Sequence, residues 1–576
     1  MSNDPTEILA RARAWAAQDP DPATRAEVES LVAGGDLAGL EERFGSSLDF
    51  GTAGLRGPLG AGPNRMNRMV VRQITAGLAR YLVDHEPRAR ERGVVVGFDA
   101  RHHSERFAAD AAEVLTRAGL PARVLPRPLP TPVLAFAVRH LEAVAGVMVT
   151  ASHNPRADNG YKVYLSDGAQ LIPPADRLIA QVAHLAEPGE PELPASPRPS
   201  PVIALDQTVV HAYLDALLRI ARDRWRALGW GDAPPAADLR VVYTPLHGVG
   251  GDILAALFRR AGFPDPEHVP SQALPDPDFP TLAFPNPEEP GALNLALAQA
   301  DAAGADLVIA NDPDADRLAA AIPGAGRWPW RVLSGNELGC LLADHVLETG
   351  AGADRLVATT VVSSSQLEAM ARAAGVAYAC TLTGFKWIAR AADGRPGHRF
   401  VYGYEEALGY AIGDAVRDKD GLGAALALVE LALFEKGRGR TIADRLDDLA
   451  RRFGLHATAA WTARLEGTGA TEAMGQAMAR LRSRPPSRLG GRAVTSARDL
   501  LAPAGDLPPA DVIIYDLEGG ARVVLRPSGT EPKLKAYLEV VIPVPSGAPL
   551  EALRARAEEE LAELRGELAG ITGVGE

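Results

Sequence analysis

Asp312, Asp314 and Asp316 stand at alternate positions in the segment NDPDADR, residues 311 to 317. Carboxylates this close repel one another unless a cation neutralises them. All-oxygen ligands favour a hard divalent ion, Mg²⁺ first. The segment is not an EF-hand, because Arg317 stands where the loop glycine belongs and Pro323 where the closing glutamate belongs. The alternative is a solvated acidic turn, against which the apolar run Leu307–Ala310 in front and Arg317 behind both weigh. A second chemical stretch, TASHNPRADNG, covers residues 150 to 160. Ser152 has a hydroxyl nucleophile's chemistry, His153 follows it, and Asn154-Pro155 makes a turn that can hold the hydroxyl outward. Lys162 lies just beyond and can meet an anion. An ordinary Ser/Asn/Pro loop is the competing reading.

Other stretches fit a phosphorylated ligand. LDFGTAGLRGPLGAGPNRMN, residues 48 to 67, places Arg56 among glycines that let backbone approach a ligand. TLTGFKWI, residues 381 to 388, gathers Thr383, Gly384 and Lys386 in a short turn. VYGYEEALGY, residues 401 to 410, pairs Glu405 with Glu406. Such a pair can accept hydrogen bonds from sugar hydroxyls; taken singly it reads as exposed. Arg417, Lys419 and Asp420 precede an apolar helix, Leu422 to Phe434. In RPSGTEPKLK, from Arg526 onward, Arg526, Ser528, Gly529 and Thr530 make a phosphate cradle without a Walker Lys-Ser/Thr pair.

The elements that must position these residues follow from periodicity. The run Ala143–Val149 is a buried strand, which puts Ser152 at a strand's C-terminal end, where open α/β sheets bind ligands. A strand, polar loop, helix and RAG-type close recur at Val94, Val241 and Leu356. Three such units predict three related α/β domains, with a generic βα unit as the plain alternative. Residues 1 to about 44 predict a helical extension, and Met69–His85 and Val209–Leu228 predict helices. Pro188–Pro201 predicts a linker, and Pro264–Pro290 an extended loop of the second domain. The last domain differs. Asp511–Asp516 and Ala521–Leu525 predict a hairpin through Glu518-Gly519-Gly520, Ala536–Ile542 a further strand, and Leu550–Leu568 a charged helix with a solvated face.

Composition narrows the class. A chain of 576 residues exceeds one domain, and its 47% apolar content gives each domain a core. A net charge of −13 argues against a general nucleic-acid surface, so basic residues for an anionic substrate must be gathered locally. Two cysteines, Cys340 and Cys380, supply neither a disulfide framework nor a cysteine-based zinc site, in keeping with a reducing compartment. The polar first residues hold no signal-peptide core, and no apolar run reaches transmembrane length. The expectation is a cytoplasmic protein with neither nucleic acid nor membrane as partner. Its oligomeric state is not legible.

At GTAGLRG, TASHNP, DPDADR and RPSGTEPK the chain resembles the α-D-phosphohexomutase superfamily, over nearly its whole length from about Asp49 to Ile542 and in the family's motif order. The extension and the EEALGY loop are similar to the branch holding phosphoglucomutase and phosphopentomutase of the longer type. The resemblance implies an α/β fold of four domains around a central cleft, three related α/β domains with mixed sheets plus a C-terminal α+β domain. Its expected boundaries are 1–205 (extension and phosphoserine domain), 206–325 (metal-binding), 326–445 (sugar-binding) and 446–576 (phosphate-binding). It implies that Ser152 carries phosphate and, with Asp312, Asp314 and Asp316, binds one Mg²⁺ per active site. Ser152, His153, Lys162 and Arg56 would be catalytic, with no single base assigned. Thr52, Arg56, Arg317, Thr383, Gly384, Lys386, Glu405 and Lys419 would bind substrate, and Arg526, Ser528, Gly529 and Thr530 its non-reacting phosphate. Closure of the fourth domain would exclude the water that otherwise hydrolyses phosphoserine.

The implied reaction interconverts α-D-glucose 1-phosphate and glucose 6-phosphate, with small sugar phosphates as the partners. It runs through phosphoserine and glucose 1,6-bisphosphate, which is both intermediate and activator. Phosphomannomutase or phosphopentomutase activity is the alternative; a sugar-phosphate phosphatase and a sensor without turnover rank below. One departure bears on the sugar. Ala407 stands where many relatives have serine, and Tyr410 where some bacterial relatives have histidine.

Overall fold

The computed structural model describes residues 4–49, 54–185, 187–196, 199–236, 238–324, 329–464, 470–502, 507–527 and 533–572. The chain divides into two compact units, Met1–Val332 with Gly409–Leu428, and Leu333–Leu408 with Val429–Glu576. Among the described residues no helix is long and apolar enough to cross a membrane.

In the first unit the expected helical extension is three helices, Pro5–Gln18, Pro22–Gly34 and Leu37–Phe44. An aspartate starts each one: Asp4, Asp21 and Asp36 accept the N–H groups of Thr6, Ala23 and Gly39. The DPDP stretch between the first two cannot continue a helix, so the segment folds back on itself. Ile8, Trp15, Val28, Leu40 and Phe44 form its core together with Met69. The Trp15 and Phe44 rings meet edge-on with centroids 5.9 Å apart.

The first sheet has six strands in the order Leu55–Pro58, Asp158–Leu165, Ala145–Val149, Val94–Phe98, Ala122–Val124, Val202–Ala204. The last four run parallel to one another. Asp158–Leu165 runs antiparallel to both its neighbours. Val94–Phe98 is buried throughout, as a central strand covered on both faces requires. The helix expected at Met69–His85 begins at Arg68, because Asn67 Oδ1 accepts the Val70 N–H at 2.9 Å. The Pro-rich segment after Pro188 is not a free link between domains. Gln73 Nε2 donates to the Glu187 and Gly189 carbonyls, both at 2.7 Å, and Val202–Ala204 then completes the first sheet.

The second sheet repeats this build, in the order Trp330–Val332, Ala319–Pro323, Leu307–Ala310, Val241–Thr244, Glu267–His268. Its strands from Leu307 leftward are antiparallel and the others parallel. Pro264–Pro290 is non-helical apart from one 3₁₀ turn, Pro270–Gln272, and also supplies the short edge strand.

In the second unit, Ala377–Thr381, Arg355–Thr360 and Arg399–Glu405 form a parallel sheet. The helix expected over Val332–Gly352 runs Gly335–Thr349, started by a Ser334–Glu337 capping box; Trp330–Val332 is a strand instead. The sequence repeats at Val94, Val241 and Leu356 thus fall on corresponding strands of three sheets. The C-terminal domain is α+β, as expected. Its six strands are antiparallel throughout, in the order Leu455–Arg464, Lys533–Ile542, Arg522–Pro527, Ile513–Leu517, Arg492–Asp499, Arg488–Leu489. The hairpin turns at Gly519 and Gly520, whose φ of 78° and 82° suits glycine. The helix Leu550–Thr572 is solvated on one face only, since Ala557, Leu561, Leu564 and Leu568 are buried in the sheet's core.

Candidate functional site

Ser152 follows the Ala145–Val149 strand with φ +54°, a left-handed conformation uncommon outside glycine, and is 1% exposed. Its neighbours impose that geometry. Thr150 Oγ1 accepts the Ser152 N–H at 2.8 Å and donates to Asp99 Oδ2 at 2.6 Å. Asp99 also accepts from Ser104 Oγ at 2.7 Å and the Arg101 N–H at 3.1 Å. A single guanidinium then ties down the loop's carbonyl oxygens. Arg101 donates to Ser152 O and Asn154 O, each at 2.6 Å, to Pro155 O at 2.8 Å and to Asp158 O at 3.2 Å. Its guanidinium also lies 5.0 Å from the centre of the Phe279 ring, from the Pro-rich loop, and 3.5 Å from Asp99 Oδ2.

The Asp312 carboxylate meets this serine: Ser152 Oγ donates to Asp312 Oδ2 at 2.7 Å. His153 Nδ1 lies 3.2 Å from the same hydroxyl. The 311–317 loop is itself held at both ends. The Arg317 N–H donates to Asp312 Oδ1 at 3.0 Å, and Asn311, fixed by the Tyr243 hydroxyl at 2.9 Å, donates to Arg317 O. A Cβ on Gly248 would come within 2.3 Å of the Pro313 backbone, so the second domain's first loop reaches the aspartate loop only through a glycine.

Lys162, on the strand after the serine loop, is 1% exposed and donates to Asp314 Oδ2 at 2.7 Å and Asp316 Oδ2 at 3.0 Å. Thr131 Oγ1 donates to Asp314 Oδ2 at 2.6 Å, and Lys419 Nζ lies 3.2 Å from Asp316 Oδ2. Asp418 holds Lys419 at 3.2 Å, while Tyr164 and Gln170 donate to Asp418 at 2.7 and 2.8 Å. Arg56 pairs in register with Gly160 and donates to Asn154 Oδ1 at 3.1 Å. A Cβ on Gly54 would come within 2.6 Å of Tyr161 O, so the glycine two residues before Arg56 permits that close pairing.

Burial disfavours ionisation of all three aspartates. Asp314 and Asp316 are nevertheless held below the usual carboxylate range, Asp314 by Lys162 and Asp316 by Lys162 and Lys419. Asp312 is pushed well above it by burial and by the other two charges. Each like-charge pair at this spacing costs roughly 3 to 4 kcal/mol at an effective dielectric of 20. The group fits a metal ion on two grounds. One ligand oxygen from each aspartate lies within 4.8 Å of the others, all three being buried. Asp314 Oδ1 and Asp316 Oδ1 are buried and accept no hydrogen bond from any described residue. An all-carboxylate set suits a hard divalent cation.

The second unit holds the remaining candidates. Arg526, near the end of its strand, donates to Thr383 Oγ1 at 2.7 Å. Gly384 has φ +103° and starts the short helix Phe385–Ile388, which carries Lys386. The glutamate pair is half-buried rather than exposed. Glu406 Oε2 accepts from Ser363 Oγ at 3.0 Å, and Glu405 ends its strand. Tyr410 belongs to the first unit and is fully buried. Thr52, Ser528, Gly529 and Thr530 lie outside the described residues. The structure thus brings Ser152, His153, Lys162, Arg56, Arg317, Lys419 and the three aspartates together in one unit, and Arg526 and Thr383 in the other. Asp99, Arg101, Thr131 and Asp418 escaped sequence reasoning. The one available signal was Asp99-Ala100-Arg101 directly after a buried strand.

Four family models match parts of the chain in order, all of phosphoglucomutase/phosphomannomutase: α/β/α domain I at residues 47–188, domain II at 211–325, domain III at 334–453 and the C-terminal domain at 484–563. A probable phosphomannomutase of Haemophilus influenzae is 40% identical over 478 residues, 82% of this chain and 93% of that protein. Mouse phosphopentomutase is 36% identical over 584 residues, 95% of this chain and 92% of its own. A crystal structure of a phosphomannomutase from Thermus thermophilus superposes with a TM-score of 0.65 at 23% identity, covering 90% of this chain and 99% of that one, and so shares the fold. The chain therefore belongs to the phosphoglucomutase/phosphomannomutase family, enzymes that act as phosphotransferase-type isomerases.

Proposed function

We propose that this enzyme interconverts α-D-glucose 1-phosphate and glucose 6-phosphate, with a phosphate stored on Ser152 and glucose 1,6-bisphosphate as intermediate and activator. The observation that carries the reading is Ser152 Oγ, buried and 2.7 Å from Asp312 Oδ2 beside two further buried carboxylates and Lys162. A hydroxyl in that setting is suited to bear a phosphoryl group rather than to attack a carbonyl.

Asp312, Asp314 and Asp316, with an oxygen at Ser152, would hold Mg²⁺, which when bound supplies charge neutralisation for the phosphoryl group. The chain's own residues do the rest. Arg101, Thr150 and Asp99 hold the serine loop rigid, so the phosphoryl group has one orientation. Arg56, Arg317 and Lys419 place positive charge around it. In transfer, the bond from phosphorus to Ser152 Oγ breaks as one forms to a sugar hydroxyl oxygen, and the proton that this hydroxyl loses ends on Ser152 Oγ, which becomes a free hydroxyl. The bisphosphate then turns, and its other phosphoryl group returns to Ser152. His153 Nδ1, 3.2 Å from Ser152 Oγ, is within reach of the hydroxyl proton as Ser152 is loaded again. Arg526, with Ser528, Gly529 and Thr530, would hold the phosphate that does not react. Thr383, Gly384, Lys386 and Glu405 would meet the sugar side.

A pentose phosphate is the second reading, favoured by the likeness to a phosphopentomutase over 95% of the chain. The deciding experiment is a rate panel with glucose, mannose, ribose, deoxyribose and N-acetylglucosamine 1-phosphates, Mg²⁺ and a trace of the matching bisphosphate. The reading expects the highest kcat/KM with glucose. Preference for ribose or deoxyribose overturns the glucose assignment, and free phosphate released faster than isomerised sugar overturns the mutase.

A further inference from the structure

Three adjacent strands of the C-terminal sheet present their side chains to the third domain in rows. Thr458, Glu539 and Arg522 stand side by side in the registers Thr458↔Glu539 and Arg522↔Glu539. Each makes its own bond to the third domain. Thr458 Oγ1 accepts from Asn336 Nδ2 at 3.1 Å. Glu539 accepts from Ser364 Oγ at 2.7 Å and from the Ser365 N–H at 2.9 and 3.2 Å. Arg522 donates to the Val361 and Ser363 carbonyls and, at 3.0 Å, to Glu539 itself.

Two residues along, on the same face, come Ala460, Tyr537 and Val524. Tyr537 and Val524 pack in one apolar cluster with Val361, Val362 and Leu382. Two residues further stands Arg526, which donates to Thr383 Oγ1 at 2.7 Å. The sheet thus makes a polar contact, an apolar contact and then the candidate phosphate contact along one strand, with ~13 Å between Arg522 and Arg526 at 3.3 Å per residue.

The polar row is the part of this contact that specifies register. Glu539 is 3% exposed. Burial opposes its charge, but the His456 ring at 3.1 Å, Arg522 and Ser364 hold its carboxyl down at about 2, so it is ionised and needs its donors. An apolar patch tolerates sliding, whereas a buried carboxylate that loses its partners is strongly penalised. The receiving loop also serves the sugar side, because Ser363 Oγ donates to Glu406 Oε2 at 3.0 Å, next to Glu405.

We propose that Glu539 and Arg522 are positioning residues that lock the C-terminal sheet onto the loop Val361–Ser365 and thereby hold Arg526 at Thr383. This rests on the reading of Arg526 as a ligand of the substrate's phosphate. The test is a double-mutant cycle in the full-length enzyme, with KM and kcat for glucose 1-phosphate measured for Arg526→Ala, Glu539→Gln and the double variant. Loss of the arginine is expected to raise KM about ten-fold, the equivalent of ~1.4 kcal/mol. Glu539→Gln is expected to raise KM in the same direction with kcat within about two-fold, and the double variant to be no worse than Arg526→Ala alone. Multiplying effects overturn the proposal, since they give Glu539 a role independent of Arg526. A raised KM in Arg526→Ala with wild-type KM in Glu539→Gln overturns the lock and leaves the mutase reading standing. An unchanged KM in Arg526→Ala overturns the phosphate assignment and the lock with it. Ser364→Ala removes one donor and leaves Glu539 charged. It should raise KM by a smaller factor, and it decides the question if Glu539→Gln does not fold.

Discussion

Replacing Arg101 by lysine keeps the charge and removes the fork that holds the serine loop. The guanidinium makes four hydrogen bonds, to the carbonyls of Ser152, Asn154, Pro155 and Asp158, from a site 4% exposed. A lysine ammonium is a point donor on a flexible stem and cannot span the same oxygens. If two of the four bonds are lost, at about 1 to 1.5 kcal/mol each, the cost is about 2 to 3 kcal/mol. For a domain of this size that lowers its unfolding temperature by roughly 5–10 °C. The kinetic cost is larger in relative terms, because a nucleophile misplaced by about 1 Å loses about 100-fold in rate. KM should change little, since Arg101 lies behind the loop. The assay is kcat and KM for glucose 1-phosphate at a temperature where circular dichroism shows the variant folded. A variant that loses the predicted stability yet keeps wild-type kcat would refute the argument that loop rigidity positions Ser152.

Further predictions concern the carboxylates. Asp312→Asn removes one of the three buried carboxyl groups that would face the metal and should lower apparent Mg²⁺ affinity by at least about ten-fold, measured by titrating activity and thermal stability with Mg²⁺ after chelation. Asp420 is buried and its carboxyl is pushed up to about 6, by burial first, although Tyr213 and the N–H groups of Leu422 and Gly423 bond to it. A raised folded-state pKa contributes stability below the unfolded value that is lost as pH rises, here between about pH 4 and 6. Asp420→Asn, which preserves the helix cap, should therefore flatten that part of the stability–pH curve, by up to roughly 3 kcal/mol. An unchanged slope in chemical denaturation between those pH values contradicts the assignment.

The chemistry was legible where residue type and local order suffice. Ser152 and the three aspartates stand at strand ends, where an ordinary Ser/Asn/Pro loop competes for the first and a solvated acidic turn for the others, and Lys162 follows ten residues along the same hairpin. Their supports were not legible, because their partners are distant in sequence and chosen by the fold. Arg101 serves a loop about 50 residues away, and Thr131 serves Asp314 from another domain's helix. The same holds for elements. Val94–Phe98 announces itself as a buried strand, whereas Leu455–Arg464, spelled LHATAAWTAR, has too little apolar alternation to be read and is a strand because Lys533–Ile542 pairs with it along its length. Glu406, next to Glu405, read as exposed because its partner Ser363 lies in a loop over 40 residues earlier.

The account stands or falls on what Ser152 carries. Mass spectrometry of the peptide containing Ser152, from protein purified without phosphatase treatment, should find phosphate on that serine. Incubation with glucose 1-phosphate and Mg²⁺ should then remove it, with glucose 1,6-bisphosphate appearing in equal amount. An unmodified Ser152 in protein that is fully active without added bisphosphate would contradict the account.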